Sequence, residues 1–334
     1  MRKTYFITGV AGLLGSHLAE GLIKQGHKVL GCDNLIGGDK ANLPKGGTFY
    51  KFDCIDRNIM ADLLKGVDTV YHCACTAYEG LSVFSPHFIT QNTLGITTST
   101  LSASIQAGVK RFIFCSSMAR YGEQDSVPFT EDMTPKPQDP YGIAKYASEL
   151  LIQNLSKVHG IEYVIVAPHN IIGTHQKYDD PYRNVVSIMI NRMLRGQQPV
   201  IYGDGEQMRC FSFVQDVVDP LILLDEKGMG EVFNIGPDDE FVTINELSQI
   251  LAELTGLGLE PIYVPERPQE VRFANASADK AREVLGYKPK TSLREGLEIM
   301  VDYIKERGAK PFEYNLPIEI VNDLTPKTWL KKQI

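Results

Sequence analysis

The sequence predicts an α/β fold organised around a parallel β-sheet, and three observations support this class. Short apolar runs typical of buried strands alternate along the chain with longer segments of helical pattern. The first strand, at residues 5–7, passes through a glycine-rich turn into a helix at residues 16–23. Strands that are joined by helices pair in parallel through right-handed crossovers.

The glycine-rich turn is the first candidate binding element. Gly9, Gly12 and Gly15 permit a tight turn and a close approach of the backbone to a ligand. The unpaired N–H groups and the dipole of the following helix attract negative charge. The turn therefore predicts a pyrophosphate site, although glycines also mark sharp corners that bind nothing.

The second predicted strand, at residues 28–34, carries Asp33 near its end. A carboxylate about 20 residues after the glycine turn accepts hydrogen bonds from ribose hydroxyls and repels a 2′-phosphate, which favours NAD over NADP. An aspartate at a strand end can also be a simple turn former. Together with the glycine spacing, Asp33 predicts a dinucleotide site.

The following elements continue the alternation and then bring two ionisable side chains together. Further strands are predicted at residues 48–52, 69–74, 111–117, 162–167 and 233–236, and helices at 57–65, at 88–107 and from Tyr141 onward. Tyr141 and Lys145 then stand one turn apart on one helix face. An ammonium group and a cationic nicotinamide lower the pKa of a nearby phenol, so Tyr141 can act as a base with a serine relaying the proton. The open alternative is a surface Tyr and Lys at chance spacing.

These motifs resemble those of the extended short-chain dehydrogenase/reductases, in the nucleotide-sugar epimerase/dehydratase group, and are most similar to those of UDP-glucose 4-epimerases. The matching positions are the glycine turn, Asp33, Asp53, residues 72–75, Asn92, the serines at 116–117 and Tyr141-x-x-x-Lys145. The resemblance implies a Rossmann doubly wound sheet of about seven strands and a smaller C-terminal α/β substrate-binding domain. It places the NAD-binding domain at 1–168 and 209–242, and the nucleotide-sugar-binding domain at 169–208 and 243–334.

The resemblance also implies which residues form the site. The expected catalytic residues are Ser117, Tyr141 and Lys145. The expected NAD contacts are Gly9, Gly12, Leu13, Leu14, Gly15, Asp33, Asn34, Asp53, Cys54, Cys73, Ala74, Cys75, Asn92, Cys115, Tyr141, Lys145 and Pro168. The expected nucleotide-sugar contacts are Thr76, Ser117, Met118, Tyr141, Asn170, Val200, Tyr202, Arg209 and Arg267.

Two arginines are the candidates for binding the substrate diphosphate. Arg209 and Arg267 offer forked donors that match phosphate oxygens, and Arg272 is a further candidate in the same segment as Arg267. The alternative for Arg209 is a solvated surface arginine. Asp216 is expected to cap a helix rather than to touch substrate.

Three positions depart from the pattern of the family. Ala167 stands where the family usually has an arginine, and Ala274 stands where these epimerases limit the room for the C2 substituent, which implies a roomy pocket. Arg120 replaces a small apolar residue. If Arg120 faces the sugar it can pair with a hexuronate carboxylate, and if it faces away it is a surface charge.

Met118 and Ala119 decide among the reactions of the group. In the family, 4,6-dehydratases carry Asp-Glu at these positions, and 3,5-epimerases and glucuronate decarboxylases carry Cys or Glu at the second. Neither Met118 nor Ala119 can act as an acid or a base. The sequence therefore favours an NDP-sugar 4-epimerase with tightly held NAD. A dehydratase, decarboxylase, 3,5-epimerase or keto-sugar reductase, and a catalytically silent dinucleotide sensor, stay open as alternatives.

Composition favours a small-molecule ligand. The 334 residues carry a formal net charge of -7 and a pI of about 5.6, so we expect neither nucleic-acid nor membrane binding, and no apolar run is long enough to span a bilayer. Six cysteines without paired spacing predict structural roles in a reducing cytoplasm, with no metal site. The resemblance implies a homodimer through helices near 88–107 and 141–159. The stretch from Pro311 onward has no recognisable motif and is expected to pack on the surface or serve a partner.

Overall fold

The fold is described from a computed structural model that covers residues 1–258 and 260–334. The strands are β1 Thr4–Thr8, β2 Lys28–Asp33, β3 Thr48–Lys51, β4 Thr69–His72, β5 Arg111–Cys115, β6 Glu162–Pro168, β7 Asn170–Ile172, β8 Val200–Tyr202, β9 Met208–Arg209, β10 Phe211–Phe213, β11 Val232–Ile235, β12 Val242–Thr243 and β13 Ile262–Val264. The helices are α1 Leu13–Lys24, α2 Arg57–Leu63, α3 Glu79–Ser82, α4 Pro86–Thr90, α5 Ile96–Ala107, α6 Pro140–His159, α7 Val185–Leu194, α8 Val214–Leu223, α9 Ile244–Thr255, α10 Asp279–Leu285, α11 Leu293–Arg307 and α12 Lys327–Leu330.

Seven of the strands form one parallel sheet in the order β11-β6-β5-β4-β1-β2-β3. The predicted α/β class and Rossmann arrangement are therefore confirmed. The chain order reverses beside β1, so the loops after β1 and β4 diverge and leave a crevice at the carboxyl ends of the strands. Thr8, the last residue of β1, pairs with Cys32 on one side and with His72 on the other.

Apolar side chains fill both faces of this sheet. One face packs against α1, α8 and α10, with Leu18 and Leu221 fully buried there. The other face packs against α2, α5 and α6, with Leu101 and Ile152 fully buried. Burial on both faces explains why the central strands read as continuous apolar runs.

A separate apolar core lies among α7, α9 and α11. It belongs to the part of the chain that the sequence assigns to substrate binding. Helix α10 differs from that assignment, because Ala281 and Leu285 pack into the core of the main sheet although they lie within 243–334. The remaining division into two domains stays a prediction.

The predicted helix at 88–107 is interrupted by a π-helical turn. Helices α4 and α5 are joined by Gln91–Gly95, which has π-helical hydrogen bonding. Within the turn, the Asn92 carbonyl accepts a hydrogen bond from Thr76 N at 3.2 Å. The Asn92 amide donates to the Phe88 carbonyl at 2.9 Å. The π-helical turn therefore contacts the loop that follows β4. Apolar periodicity alone does not predict this contact.

None of the helices within residues 1–258 and 260–334 is both long enough and apolar enough to cross a membrane.

Candidate active site

The glycine turn has the geometry of a close-packed anion site. Gly9 has φ +70°, and a Cβ there would lie 2.9 Å from the Ala74 backbone. A Cβ at Gly15 would collide with the Gly9 carbonyl oxygen. Gly12 caps α1 without a side-chain hydrogen bond, so the first N–H groups of the helix point into the crevice. These contacts explain why glycine is required at positions 9 and 15.

Asp33 lies beside this turn at the end of β2. Its carboxylate accepts hydrogen bonds from Ala11 N at 2.9 Å and from Leu35 N at 2.7 Å. Burial raises the pKa of Asp33, and these two backbone donors oppose the shift. Asn34 donates to Asp53 at 2.9 Å, which fixes the next loop. The glycine cradle and a fixed carboxylate fit the pyrophosphate and ribose of NAD.

One large cavity brings together nearly every residue that the sequence assigns to the site. It runs from the glycine turn past Tyr141 to Arg267. All the expected NAD and nucleotide-sugar contacts line it except Lys145, and Ala274 lines it as well. Lys145 is 1% exposed and lies behind the wall, where its ammonium group donates to the Cys115 carbonyl at 2.6 Å.

The start of α6 positions Tyr141. Asp139 caps this helix by accepting hydrogen bonds from Tyr141 N at 2.9 Å and from Gly142 N at 3.0 Å. Pro140 occupies the first helical position, where its fixed φ favours helix initiation. Ser117 caps the single 3-10 turn that comes directly after it, Met118–Arg120. Its hydroxyl oxygen accepts a hydrogen bond from Ala119 N at 3.1 Å.

Among the protein's own groups, burial has the largest effect on the pKa of Tyr141. Burial raises it well above the usual value for a phenol, and Cys75 and Glu79 add to the rise. A hydrogen bond with Ser117 and the charge of Arg183 act in the opposite direction. The Lys145 nitrogen lies 5.8 Å from the centre of the Tyr141 ring and donates a hydrogen bond to the Cys115 carbonyl. Its charge therefore does not outweigh the effect of burial on the pKa of Tyr141.

Arg120 neither faces the sugar nor lies on the surface, so both alternatives drawn from the sequence are wrong. It is 4% exposed and forms an ion pair with Glu149, a fully buried residue of α6. Burial raises the pKa of Glu149 against the opposing charge of Arg120. The Ser116 hydroxyl also donates to the Glu149 carboxylate. The pair therefore lies directly behind the segment that carries Ser117.

Two other sequence-based expectations are also wrong. Asp216 does not cap its own helix; its carboxylate accepts hydrogen bonds from Lys290 N at 3.1 Å and Thr291 N at 3.0 Å. Arg272 lies outside the cavity, exposed and paired with Asp204 at 3.0 Å. It therefore has no place among the diphosphate candidates.

The other two arginines share one carboxylate. Arg267 contacts both oxygens of Glu270 at 3.1 Å, and Arg209 approaches the same carboxylate at 3.5 Å. The Arg267 guanidinium lies 4.7 Å from the centre of the Tyr202 ring. Because all of these side chains line the cavity, Arg209 is not the solvated surface arginine of the alternative interpretation. Two guanidinium groups beside one carboxylate leave a net positive charge for a diphosphate.

Glu79 and Arg183 are two of the charged cavity residues that the sequence analysis missed. Glu79 faces it from α3, accessible to solvent through the cavity but enclosed by neighbouring residues. Burial and the nearby Asp139 raise the pKa of Glu79 to about 7, against the opposing charges of Arg209 and Arg267. Arg183 lies half-buried, 5.7 Å from the centre of the Tyr78 ring. Glu79 follows the predicted 72–75 segment closely enough to have been found; no sequence pattern marks Arg183.

Comparisons with known proteins agree with this geometry. The model of the NAD dependent epimerase/dehydratase family matches residues 5–236. A UDP-glucose 4-epimerase of Mycolicibacterium smegmatis is 32% identical over 313 residues, covering 90% of this chain and 98% of that protein. A UDP-N-acetyl-alpha-D-glucosaminuronate decarboxylase of Bacillus cytotoxicus is 32% identical over 326 residues, covering 92% and 99%. The crystal structure of Thermotoga maritima UDP-glucose 4-epimerase with UDP-glucose matches with a TM-score of 0.87 and 38% identity, covering 91% of this chain and 99% of that one.

Proposed function

The chain belongs to the NAD-dependent epimerase/dehydratase family, and we propose that it inverts C4 of the hexose in a nucleotide sugar, with UDP as the favoured nucleotide. UDP-glucose, UDP-GlcNAc and a UDP-hexuronate are the candidate substrates. The observation that carries the proposal is that Met118 and Ala119 line the cavity beside Ser117 and Tyr141. Neither side chain can move a proton to or from carbon, whereas loss of water or of carbon dioxide needs a further acid or base.

The reaction that remains needs only one proton acceptor. The glycine turn and Asp33 would hold NAD, which would supply a hydride acceptor for C4 and a hydride donor for the return to the other face of the sugar. The positive charge of bound NAD would oppose the burial that raises the pKa of Tyr141. Tyr141 can then take the proton of the C4 hydroxyl, with Ser117 beside it to relay that proton, and give it back in the reverse half. Arg209 and Arg267 hold the diphosphate, so the sugar can turn while the nucleotide stays bound. Lys145 positions the segment by holding the Cys115 carbonyl.

Loss of water or carbon dioxide is a second candidate reaction, because Glu79 puts one ionisable carboxyl group into the cavity. Its cationic neighbours are Arg209 and Arg267, and the adjacent Gly80 lies against the Arg267 guanidinium. Glu79 is thus associated with the proposed diphosphate end rather than with Ser117. This placement favours the epimerase.

Product analysis tests the proposal. Protein incubated separately with UDP-glucose, UDP-GlcNAc and UDP-glucuronate should yield the C4 epimer of at least one of them without added cofactor and without net change in cofactor absorbance. A product that lacks water or carbon dioxide would refute it, and steady consumption of NADH in a parallel assay with added NADH would identify a reductase. Tyr141→Phe should abolish turnover and retain bound NAD, whereas Tyr146→Phe on the same helix should keep full activity. A homodimer in the cytoplasm stays part of the proposal.

A further inference from the structure

Residues 311–334, called here the C-terminal strap, lie across the substrate side of the cavity. Apart from the short helix α12 the strap has no regular structure, yet Trp329 is only 2% exposed and Ile334 only 6%. Ile334 itself lines the cavity. The strap's position differs from the simple surface packing expected from sequence, because it touches three separate elements of the cavity wall.

The first element is the segment that carries Glu79. The Glu319 carboxylate accepts hydrogen bonds from His87 N at 3.0 Å and Phe88 N at 2.8 Å, which caps the start of α4. The Phe84 carbonyl accepts hydrogen bonds from the backbone of Glu319 and of the next residue, both at 2.9 Å. The Ser85 hydroxyl donates to the Pro317 carbonyl at 2.5 Å. The strap therefore fixes residues 84–88, which follow Glu79 along the chain.

The second element is the loop that carries Arg183. Trp329 packs edge-on against Tyr182 with ring centres 5.3 Å apart, and against Phe84 at 6.0 Å. Tyr314 packs edge-on against the same Tyr182 at 6.1 Å. Tyr182 immediately precedes Arg183, so these aromatic contacts fix the point from which Arg183 enters the cavity.

The third element is β8, which carries Tyr202. The Tyr202 hydroxyl lies 2.7 Å from Thr328 Oγ1, and the ring of Tyr202 lies beside Arg267, one of the proposed diphosphate ligands. The end of the strap is itself fixed, because the Tyr314 hydroxyl bonds to both the N and the O of Ile334, at 3.0 and 3.1 Å. The wall beside the diphosphate candidates is thus built from two distant parts of the chain.

We propose that the strap positions the binding residues of the nucleotide-sugar pocket. It fixes the positions of Glu79, Arg183 and Tyr202 relative to one another. Its own residue Ile334 forms part of the cavity wall. The polar contacts described above go to residues 84–88 and to Tyr202, on the substrate side, whereas the cofactor cradle is formed by the turn after β1. Because preorganised groups bind more tightly, disturbing the strap should weaken nucleotide-sugar binding and spare NAD. The identity of the ligand rests on the proposed function; the placement of the strap does not.

The test compares Trp329→Ala with the matched control Leu324→Ala, whose side chain is 67% exposed on the same strap. Three quantities are measured for each protein: bound NAD, the Kd of UDP by calorimetry, and kcat and KM for the nucleotide sugar. We expect Trp329→Ala to raise the Kd and KM by about tenfold, with bound NAD unchanged and kcat within about twofold. Leu324→Ala should match the wild type.

Milder changes guard against misfolding. Thr328→Val removes one hydrogen bond to Tyr202 and should raise the Kd of UDP by about threefold. Unchanged Kd and KM in both Trp329→Ala and Thr328→Val would overturn the proposal, and so would parallel losses of NAD, kcat and binding, which indicate a merely structural role. If the wild type binds UDP but fails to epimerise, while these variants weaken UDP binding, the strap proposal stands and the 4-epimerase proposal falls.

Discussion

Arg120 Nε lies 3.0 Å from each carboxylate oxygen of Glu149, and neither side chain is accessible to bulk solvent. Glu149 follows Lys145 by one turn of α6, and Ser116, which also bonds to Glu149, precedes Ser117. The ion pair therefore links the helix that carries Tyr141 and Lys145 to the loop that carries Ser117. Charge in this protein stabilises the site from behind as well as from within the cavity.

Breaking this pair should cost stability without changing sugar preference. Arg120→Met leaves the Glu149 carboxylate buried without its main partner, at a cost of about 3–5 kcal/mol in the free energy of unfolding. The double variant Arg120→Met/Glu149→Leu should recover most of that loss, because neither member of the ion pair is left buried without its partner. Urea denaturation measures both. A changed ratio of kcat/KM between UDP-glucose and UDP-glucuronate in Arg120→Met would show that Arg120 recognises the sugar after all.

Removing the N-cap of α6 should lower kcat as well as the free energy of unfolding. Asp139→Ala removes the carboxylate that accepts a hydrogen bond from Tyr141 N. Asp56→Ala removes an exposed carboxylate that caps the start of α2 in the same way. Each should lower the free energy of unfolding by about 1–2 kcal/mol. We expect kcat to fall by about tenfold or more only in Asp139→Ala, because only that cap positions a reacting group. Equal kcat in the two variants would contradict this role.

Glu79 should make substrate affinity depend on pH. Its raised pKa of about 7 means that it is mainly neutral in weak acid and mainly anionic in weak base. An anionic Glu79 beside Arg209 and Arg267 repels a diphosphate, so KM should rise by about fivefold from about pH 6 to about pH 8. Glu79→Gln should give a flat profile. A KM that falls with rising pH in the wild type would exclude this electrostatic role.

The glycine turn offers a clean test of the cofactor site. Gly9→Ala places a Cβ 2.9 Å from the Ala74 backbone at φ +70°, so it should eliminate bound NAD. Gly26→Ala has a similar φ of +83° but no atom within 4 Å, and should cost only about 1 kcal/mol of stability. Absorbance of the purified proteins and their thermal melting measure both effects. Full NAD content in Gly9→Ala would remove the turn from the cofactor site.

The sequence was sufficient for features that depend on local spacing. The glycine turn and Asp33 each lie at the end of one strand, and Tyr141 and Lys145 lie one helical turn apart. It failed where the partner is distant in sequence: Arg120 meets Glu149 across 29 residues, and Asp216 meets Thr291 across 75. Such pairs depend on tertiary packing, which no single segment specifies.

Burial also produced differences that residue type cannot predict. The sequence predicts that Lys145 and a cationic nicotinamide lower the pKa of Tyr141, and burial opposes that shift. Enclosure by neighbouring residues, with the charge of Asp139, gives Glu79 its pKa of about 7. The strap carries no motif because its function depends on where Trp329 and Tyr202 meet the rest of the chain. Similarity to the family likewise gives the fold and the cofactor, and leaves the sugar to be determined by experiment.

The π-helical turn at Gln91–Gly95 sets an asymmetric limit on changes in chain length. Its extra residue per turn frees the Asn92 carbonyl to accept a hydrogen bond from Thr76, a residue of the cavity. Removing one residue from the turn would restore a regular helix, rotate α4 by about 100° relative to α5, and break that link. A helix on the outside of the sheet thus carries a length requirement imposed by the cavity. A single-residue deletion in this turn should therefore disturb the site even where the deleted residue, unlike Asn92, does not line the cavity.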